Sequence, residues 1–156
     1  MIFHLLLLLS LQLPLLSDPP AAIVNVQRLM EESAVGKAAT AQLRTFQTQK
    51  QKAIADKQAE VQQLRRSATP AARVDRAQLE LQRLTQDAEA ELKALDQQLQ
   101  EEFSKKLRPV VAQIAEEEHI GILFQYPQPL IVWVSPANDI TAKVLARLDA
   151  ETKEKK

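Results

Sequence analysis

The segment LRRSATPAAR, residues 64–73, interrupts a helix-forming stretch that otherwise runs from Val35 to about Glu118. The stretch is rich in Gln, Ala, Leu, Lys and Glu, which keep most of their side-chain freedom in a helix. A single helix of roughly 80 residues would be about 120 Å long. Pro70 disfavours helical geometry at the residue before it. The sequence therefore predicts two antiparallel helical arms with a tip at residues 67–70.

Apolar residues in both arms follow helical spacing, which supports a hairpin. On the second arm the pattern repeats every eleven residues, at Leu81, Leu92, Phe103 and Ile114. Such a repeat slightly exceeds the natural helix period, so we expect a straight or weakly right-handed coiled-coil seam. Folding the chain about residue 69 aligns Leu43 with Leu95, Phe46 with Leu92, Ile54 with Leu84 and Val61 with Ala77. One register thus pairs most of the apolar positions.

Charged residues are segregated between the two arms. Residues 37–66 carry seven basic and two acidic side chains, whereas residues 87–102 carry six acidic and one basic. In the predicted register Lys50 lies opposite Asp87 and Glu91. Exposed pairs of this kind contribute only ~0.2–1 kcal/mol each, so we expect them to fix the register. A solvated charged helix face is the alternative interpretation of any single pair.

The composition of the 156-residue chain limits its core. Only 4% of the residues are aromatic and two are glycine. So few aromatic side chains cannot fill a large core, so we expect the chain to bury its remaining apolar surface against other copies of itself. The formal net charge is zero, which gives no chain-wide attraction to nucleic acid. With no cysteine, disulfides and thiol catalysis are excluded.

The N-terminus predicts export. Residues 2–16 contain nine leucines and are followed by a Pro- and Ala-containing segment. An apolar run of this length suits a signal peptide and is short for a membrane span, which needs about 20 residues. The first four residues hold no Lys or Arg, so an uncleaved anchor is the alternative.

Three short runs of β-forming residues predict strands. The runs at 120–126 and 130–134 are separated by Pro127-Gln128-Pro129 and suggest a β-hairpin, and residues 22–26 form the first strand. The fold class is therefore α+β, a three-stranded β body with a long antiparallel helical-hairpin arm. The candidate oligomerisation residues are the apolar residues of these runs: Ile23, Val24, Val26, Ile122, Phe124, Ile131 and Trp133.

The predicted division has four parts: a signal peptide at 1–21, a body at 22–34 and 108–152, a hairpin at 35–107 and a charged tail at 153–156. Ser33 is a suitable N-cap for the first arm, and Asn138 or Asp139 for a last helix. Pro109 should kink the second arm or begin a new helix, which makes it a candidate hinge. We expect that helix to run to His119, with Gly121 just past its end.

Residues that carry catalysis are too few and too scattered to form an active site. The only histidines are His4, in the predicted signal, and His119, at a helix end. Residues 116–118 are three glutamates, but adjacent helical side chains point in different directions, so we interpret them as a solvated run. No glycine-rich phosphate loop is present. The sequence predicts no enzyme, no cofactor and no metal.

The tip of the hairpin is basic. It carries Arg65, Arg66, Arg73 and Arg76 against one acid, Asp75. Such a tip could contact acidic lipid headgroups or an acidic chain. The alternative is that the arginines keep neighbouring tips soluble and apart.

The order of several short motifs resembles the Skp/OmpH family of periplasmic chaperones. Near the N-terminus these are Val24-Asn25-Val26-Gln27-Arg28-Leu29, Ser33 and Gly36-Lys37. Near the C-terminus they are Pro109, Ile114-Ala115, Gly121, Asn138-Asp139-Ile140-Thr141 and Val144-Leu145. The resemblance covers residues 21–150, and its specific part is the motif order together with the arm length between motifs.

This resemblance implies a homotrimer in which strands of three copies intertwine and three hairpins surround a cavity. It also implies an ATP-independent holdase that binds unfolded outer-membrane proteins in the periplasm. Acidic lipid or lipopolysaccharide stays a possible contact of the basic tip, which the sequence does not decide. Two departures stand out: the chain is neutral where better-known members are basic, and the arms are short, roughly 50 Å.

Two other protein classes share parts of the pattern. A membrane-anchored stalk resembling the b subunit of ATP synthase would combine an uncleaved span with one continuous helix. The break at residues 67–70 and the strand-forming runs argue against it. A prefoldin-like chaperone shares hairpin arms and strands but normally lacks an export signal.

Overall fold

The computed structural model describes residues 20–67, 69–126 and 131–154. Along the chain the elements are β1 (Ala21–Asn25), α1 (Val26–Glu32), α2 (Ala34–Arg66), α3 (Ala71–Glu117), β2 (Ile122–Tyr126), a 3-10 turn (Pro136–Asn138) and α4 (Thr141–Glu154). The predicted α+β class is confirmed. Residues 1–19 of the predicted signal peptide lie outside the described residues. Within the described part of the chain, no helix combines the length and apolarity needed to cross a membrane.

Helices α2 and α3 form the arm, and the predicted hairpin is confirmed. Helix α2 ends at Arg66, where Ser67 donates its side-chain hydroxyl to the carbonyl of Gln63 at 2.8 Å. Helix α3 starts directly after Pro70. Proline is well tolerated at a helix start because its missing N–H has no intrahelical partner there. The turn residues therefore stop one helix and start the next, as the sequence indicates.

The root of the arm meets α1 through two buried small residues. Ser33 is fully buried and its hydroxyl accepts a hydrogen bond from the Gly36 N–H at 3.0 Å, which confirms the predicted N-cap. A Cβ added to Gly36 would overlap the backbone of Met30, lying 2.6 Å from its carbonyl carbon. Glycine therefore permits α1 to pack closely against the first turn of α2.

The sheet of the hub differs from the prediction. Strands β1 and β2 pair in parallel, with Ile23 opposite Phe124, and the described residues contain these two strands rather than three. Residues 131–135 lie in no strand, so the predicted hairpin with 120–126 is wrong within one chain. Pro127 and Pro129 lack the N–H that ladder bonding near the turn would need. The parallel pairing arises because the arm returns the chain to its starting side.

The first strand is also shorter than predicted. Val26 was expected in the strand but begins α1, because Asn25 caps the helix by accepting a hydrogen bond from the Arg28 N–H at 2.9 Å. Asparagine is among the best N-cap residues. The side chain of Val26 is half-buried against the core of the hub.

The core of the hub lies where α1, α4 and the body end of α3 meet. Its buried apolar members are Ala22, Val24, Leu29, Val35, Phe103, Leu107, Val110, Ile114, Ile140, Val144 and Leu148. Helix α3 continues through Pro109 to Glu117, so the expectation of a new helix at 109 is wrong. Pro109 has no N–H, so one carbonyl of the preceding turn lacks its helical hydrogen bond. Because Pro109 is exposed, that carbonyl can accept a hydrogen bond from water instead. Burial of Val110 and Ile114 on the opposite face holds the helix together.

The C-terminus of α3 also corrects an expectation. The helix ends at Glu117 rather than His119, and His119 adopts the left-handed conformation with φ 54°. The N–H of Ile120 donates to the carbonyl of Ala115 at 2.8 Å, and that of His119 to Glu116 at 3.3 Å. This pair of bonds is a Schellman motif. His119, not Gly121, is therefore the residue that ends the helix.

Candidate functional site: the arm, its tip and the exposed hub surface

Two ion pairs join the helices of the arm in the predicted register. The Lys50 ammonium lies 2.6 Å from Glu91, and that of Lys57 lies 2.6 Å from Glu80 and 3.0 Å from Glu60. The expected contact of Lys50 with Glu91 is thus observed, whereas Asp87 forms no ion pair among the described residues. The hydrogen bond from Lys57 lowers the pKa of the Glu80 carboxyl, because it stabilises the charged form.

The apolar seam of the arm is only partly closed. Val61, Ala77, Ala88 and Leu99 are buried, whereas Leu43, Ile54, Leu81, Leu84, Leu92 and Leu95 are half-buried. Two helices can bury only one stripe on each other, so the flanks of the seam face solvent. Near the tip, a groove on one side is lined by four glutamines and Arg65 together with the apolar residues Ala55, Ala59, Val61 and Leu81. The arm therefore offers apolar surface without enclosing it.

The tip brings the predicted arginines together. Arg65 and Arg66 lie in the last turn of α2, and Arg73 and Arg76 in the first turns of α3. All four are exposed, and none takes part in an ion pair within the described residues. Leu79, one turn further along α3, is 48% exposed, an apolar surface that the sequence pattern does not predict. Leu79 lies outside the eleven-residue apolar pattern. This mismatch is the one sign in the sequence that its side chain does not belong to the seam.

The exposed apolar surface of the hub lies on β2 and on residues 131–134. Ile122 is 53% exposed, Phe124 46%, Val132 96% and Trp133 79%. Of the predicted oligomerisation residues, Ile122, Phe124 and Trp133 are thus exposed. Ile23 and Val24 are buried inside their own chain, while Val26 and Ile131 are half-buried.

The two strands differ in the state of their outer edges. Beyond its pairing with β2, β1 is covered by the chain that leads into α4. Asn138 donates its side-chain amide to the Ala21 carbonyl at 2.8 Å, and the Ile140 N–H donates to the Ile23 carbonyl at 3.1 Å. The outer edge of β2 has no strand partner among the described residues. An edge of this kind can pair with a strand from another chain.

Helix α4 contacts the start of α2 and the C-terminal end of α3, which lies in the hub. Asp149 accepts a hydrogen bond from the Ala34 N–H at 2.8 Å. Arg147 donates to Glu117 at 2.6 Å, and Lys143 forms an ion pair with Glu118. The bond from Arg147 lowers the pKa of the Glu117 carboxyl. The glutamate run thus forms ion pairs, and the part of the chain that the structure describes contains no group of acidic and histidine side chains arranged to hold a metal.

Comparison with known proteins gives a consistent result. A model of the family described as outer membrane protein (OmpH-like) matches residues 20–148. The crystal structure of a candidate outer membrane chaperone (OmpH-like) from Caulobacter crescentus CB15 aligns with a TM-score of 0.54 at 20% sequence identity, covering 86% of this chain and 86% of that chain. At this identity the likeness shows a shared fold. A search of curated proteins gives no significant match.

Proposed function

Because the chain belongs to the OmpH-like family of outer membrane proteins, we propose that it is a holdase chaperone for unfolded outer-membrane proteins. The observation that carries the proposal is the arm. Its first helix has 33 residues and, at 1.5 Å per residue, extends roughly 50 Å. The apolar seam along this length is only partly buried, which leaves surface that an unfolded chain can contact at many points.

The mechanism needs neither catalysis nor ATP. Each contact between a half-buried seam residue, such as Leu84 or Leu92, and a client buries little apolar area and is weak. Many such contacts together keep the client away from other unfolded chains. Because each contact is weak, the client leaves when folding in the membrane offers a lower free energy. The small residues Ala53, Ala59, Ala72 and Ala90 are exposed on the arm and would let a client backbone approach closely. Ala68, a further candidate of this kind, lies outside the described residues.

The working form is a homotrimer whose hubs join and whose arms surround a shared cavity. Within the described residues, each chain carries an open strand edge on β2 and a strand-forming segment, residues 131–134, whose Val132 and Trp133 are exposed. When the segment of one copy pairs with the strand edge of the next, the contact is head-to-tail. Contacts of this type close into a ring when the rotation from one copy to the next allows it. Such pairing would also cover Val132 and Trp133. The third strand expected at 130–134 then forms between copies rather than within one chain.

The site of action is the periplasm, reached through an N-terminal signal peptide at residues 1–21. The support is the leucine-rich sequence of residues 2–16 and the start of the family match at residue 20. N-terminal sequencing of exported protein should show that the mature chain begins near residues 19–23. A mature protein that still begins at Met1 would contradict the signal peptide and favour an anchor.

The decisive experiment follows the aggregation of a client. A β-barrel membrane protein is unfolded in urea and diluted into buffer with a threefold molar excess of the purified chain. We expect light scattering from aggregates to be strongly reduced, without ATP, relative to an equal mass of an unrelated helical protein. Undiminished scattering would contradict the holdase function. A parallel assay with a denatured soluble enzyme tests whether clients are restricted to membrane proteins.

A further inference from the structure

The groove beside the tip of the arm has room for a short stretch of polypeptide. Both α2 and α3 line it, and its volume is about 660 Å³. Ligand sites in proteins commonly measure about 300–1,000 Å³. Its apolar lining consists of Ala55, Ala59, Val61 and Leu81. Since the two alanines carry only a methyl group, a polypeptide main chain can approach the helices closely at these positions.

Four glutamines line the same groove, two from each helix. Gln58 and Gln62 lie on α2, and Gln78 and Gln82 lie on α3. Glutamine side chains elsewhere on the chain donate hydrogen bonds to carboxylates, but the side-chain amides of these four form no hydrogen bond among the described residues. Their donors and acceptors are therefore available to a ligand in the groove.

The spacing of the glutamines suits an extended polypeptide. Residues four apart in a helix are separated by about 6 Å along its axis, and both glutamine pairs have this separation. In an extended chain, the peptide groups that point to one edge recur at every second residue, a distance of about 6.6 Å. Because α2 provides one pair and α3 the other, each pair can face one edge of an extended segment that lies between the helices.

The chemistry of a glutamine amide also matches that of a peptide group. Its oxygen accepts a hydrogen bond from a backbone N–H, and its NH₂ group donates to a backbone carbonyl. Peptide groups occur in every polypeptide, so binding through them does not depend on sequence. The side chains of an extended segment would point alternately towards the apolar lining and towards solvent.

We propose that this groove binds an extended segment of unfolded polypeptide by its main chain, with Gln58, Gln62, Gln78 and Gln82 as the hydrogen-bonding partners. The proposal rests on the holdase function and names the part of the client that is bound. Among the described residues that line the groove, Arg65 is the one charged residue. Neutral or acidic segments are therefore preferred, and lysine-rich segments are disfavoured.

The test compares two short peptides. The first is a fluorescein-labelled nonapeptide of alternating valine and serine. The second has the same sequence with N-methyl groups on alternate residues, which remove the backbone N–H donors from one edge. Fluorescence anisotropy, with the full chain as titrant, should show at least fivefold tighter binding of the first peptide. Equal affinities, or no binding of the first peptide, would overturn the proposal.

A variant of the groove separates hydrogen bonding from apolar contact. Methionine is nearly as long as glutamine, forms helices well and has no amide group. The fourfold variant is Gln58→Met, Gln62→Met, Gln78→Met and Gln82→Met. It should keep its helix content by circular dichroism and bind both peptides with equal affinity. If it still prefers the unmethylated peptide as strongly as the parent does, apolar contact carries the binding and the proposal fails.

A matched control lies on the same two helices. Gln63 and Gln86 are exposed and do not line the groove. The double variant Gln63→Met with Gln86→Met should therefore keep the parent's preference for the unmethylated peptide. Loss of the preference in this control would show that the four groove residues are not specific, which contradicts the assignment.

The role of Arg65 is tested with charged peptides. At low salt, a version of the first peptide that ends in two glutamates should bind at least twofold more tightly than one that ends in two lysines. Arg65→Gln should remove this difference. A difference of the same size in Arg65→Gln would contradict the role of Arg65 in selecting segments.

These readouts can be separated from the holdase function. If the parent suppresses the aggregation of a client but binds both peptides equally, the holdase function stands and the groove proposal is overturned. If the parent binds the unmethylated peptide selectively but leaves aggregation undiminished, the groove proposal is supported and the holdase function is contradicted.

Discussion

At the scale of single residues, the joins between elements depend on a few backbone positions. Ser33 is buried and serves two helices: its N–H donates to the Leu29 carbonyl at the end of α1, and its carbonyl accepts from the Lys37 N–H in α2. His119 takes the left-handed conformation that ends α3. Each position connects the arm to the hub, so small changes here should affect the whole fold.

The two glycines of the chain should respond in opposite ways to alanine. Gly36→Ala places a methyl group against the Met30 backbone, which has little freedom to move, so we expect a loss of about 1–3 kcal/mol in the free energy of unfolding. Gly121 is exposed and has no positive φ, so Gly121→Ala should change stability by less than about 0.5 kcal/mol. Urea unfolding of both variants checks this, and equal losses would contradict the close packing of α1 on α2.

At the scale of elements, the arm is stabilised by ion pairs that depend on pH. The pKa of Glu80 in the folded chain is lowered from its ordinary value of 4.5, mainly by the hydrogen bond from Lys57. The unfolded chain therefore binds this proton more readily than the folded chain. It follows that the pair stabilises the fold above about pH 4.5, and that this contribution is lost as the pH falls through the lower folded value.

We expect the pair to be visible in thermal unfolding. Between pH 6 and pH 3, the melting temperature of the parent should fall further than that of Glu80→Gln, which lacks the titrating carboxyl. Glu89→Gln is the matched control, since Glu89 is exposed and forms no ion pair among the described residues. A fall in Glu80→Gln as large as in the parent would show that Lys57 contributes nothing to the arm through this contact.

The tip of the arm is expected to bind anionic lipid surfaces, including lipopolysaccharide. Each arginine near such a surface contributes about 1 kcal/mol, so replacing Arg65, Arg66, Arg73 and Arg76 by glutamine should remove most of the affinity. Flotation with anionic and zwitterionic vesicles at low and high salt measures this. Replacing Lys105, Lys106 and Arg108 at the other end of α3 is the control. If the protein floats equally with both vesicle types, the arginines do not select anionic lipid, and their role is to keep the tips soluble and apart.

The arm could be predicted from the sequence because its signals are local. The eleven-residue spacing, the break before Pro70 and the segregated charges all act within one helix or between two adjacent ones. The contact of Lys50 with Glu91 followed from the same register. The basic tip followed from its position at the turn.

The hub could not be predicted in the same detail because its contacts are distant in sequence. The run at 130–134 has strand-forming residues, yet β2 pairs with β1, which the arm brings back beside it. The bond from Ala34 to Asp149 joins residues 115 positions apart, and no local pattern signals it. His119 was missed as the helix-ending residue because Gly121 is the more usual choice for that conformation.

At the scale of the whole molecule, the exposed hub surface should determine assembly. In the proposed trimer Trp133 becomes buried, so Trp133→Lys should weaken association by about 2 kcal/mol or more, roughly 30-fold. Light scattering should give three times the chain mass for the parent and a smaller mass for the variant at micromolar concentration. Leu79→Lys, which makes a similar change at the tip, should remain a trimer. A monomeric or dimeric parent would contradict the assembly.

The parallel pairing of β1 with β2 has a consequence for the order of folding. The paired residues Ala21 and Ile122 are about a hundred positions apart, so closing this loop from a random coil is slow. Zipping of α2 onto α3 brings Ala34 beside Phe103 and shortens the effective loop between the two strands to roughly 30 residues. The amino-terminal strand therefore stays unpaired until the hairpin has formed and closed. Pulse-labelling by hydrogen exchange should find arm amides protected before those of β1.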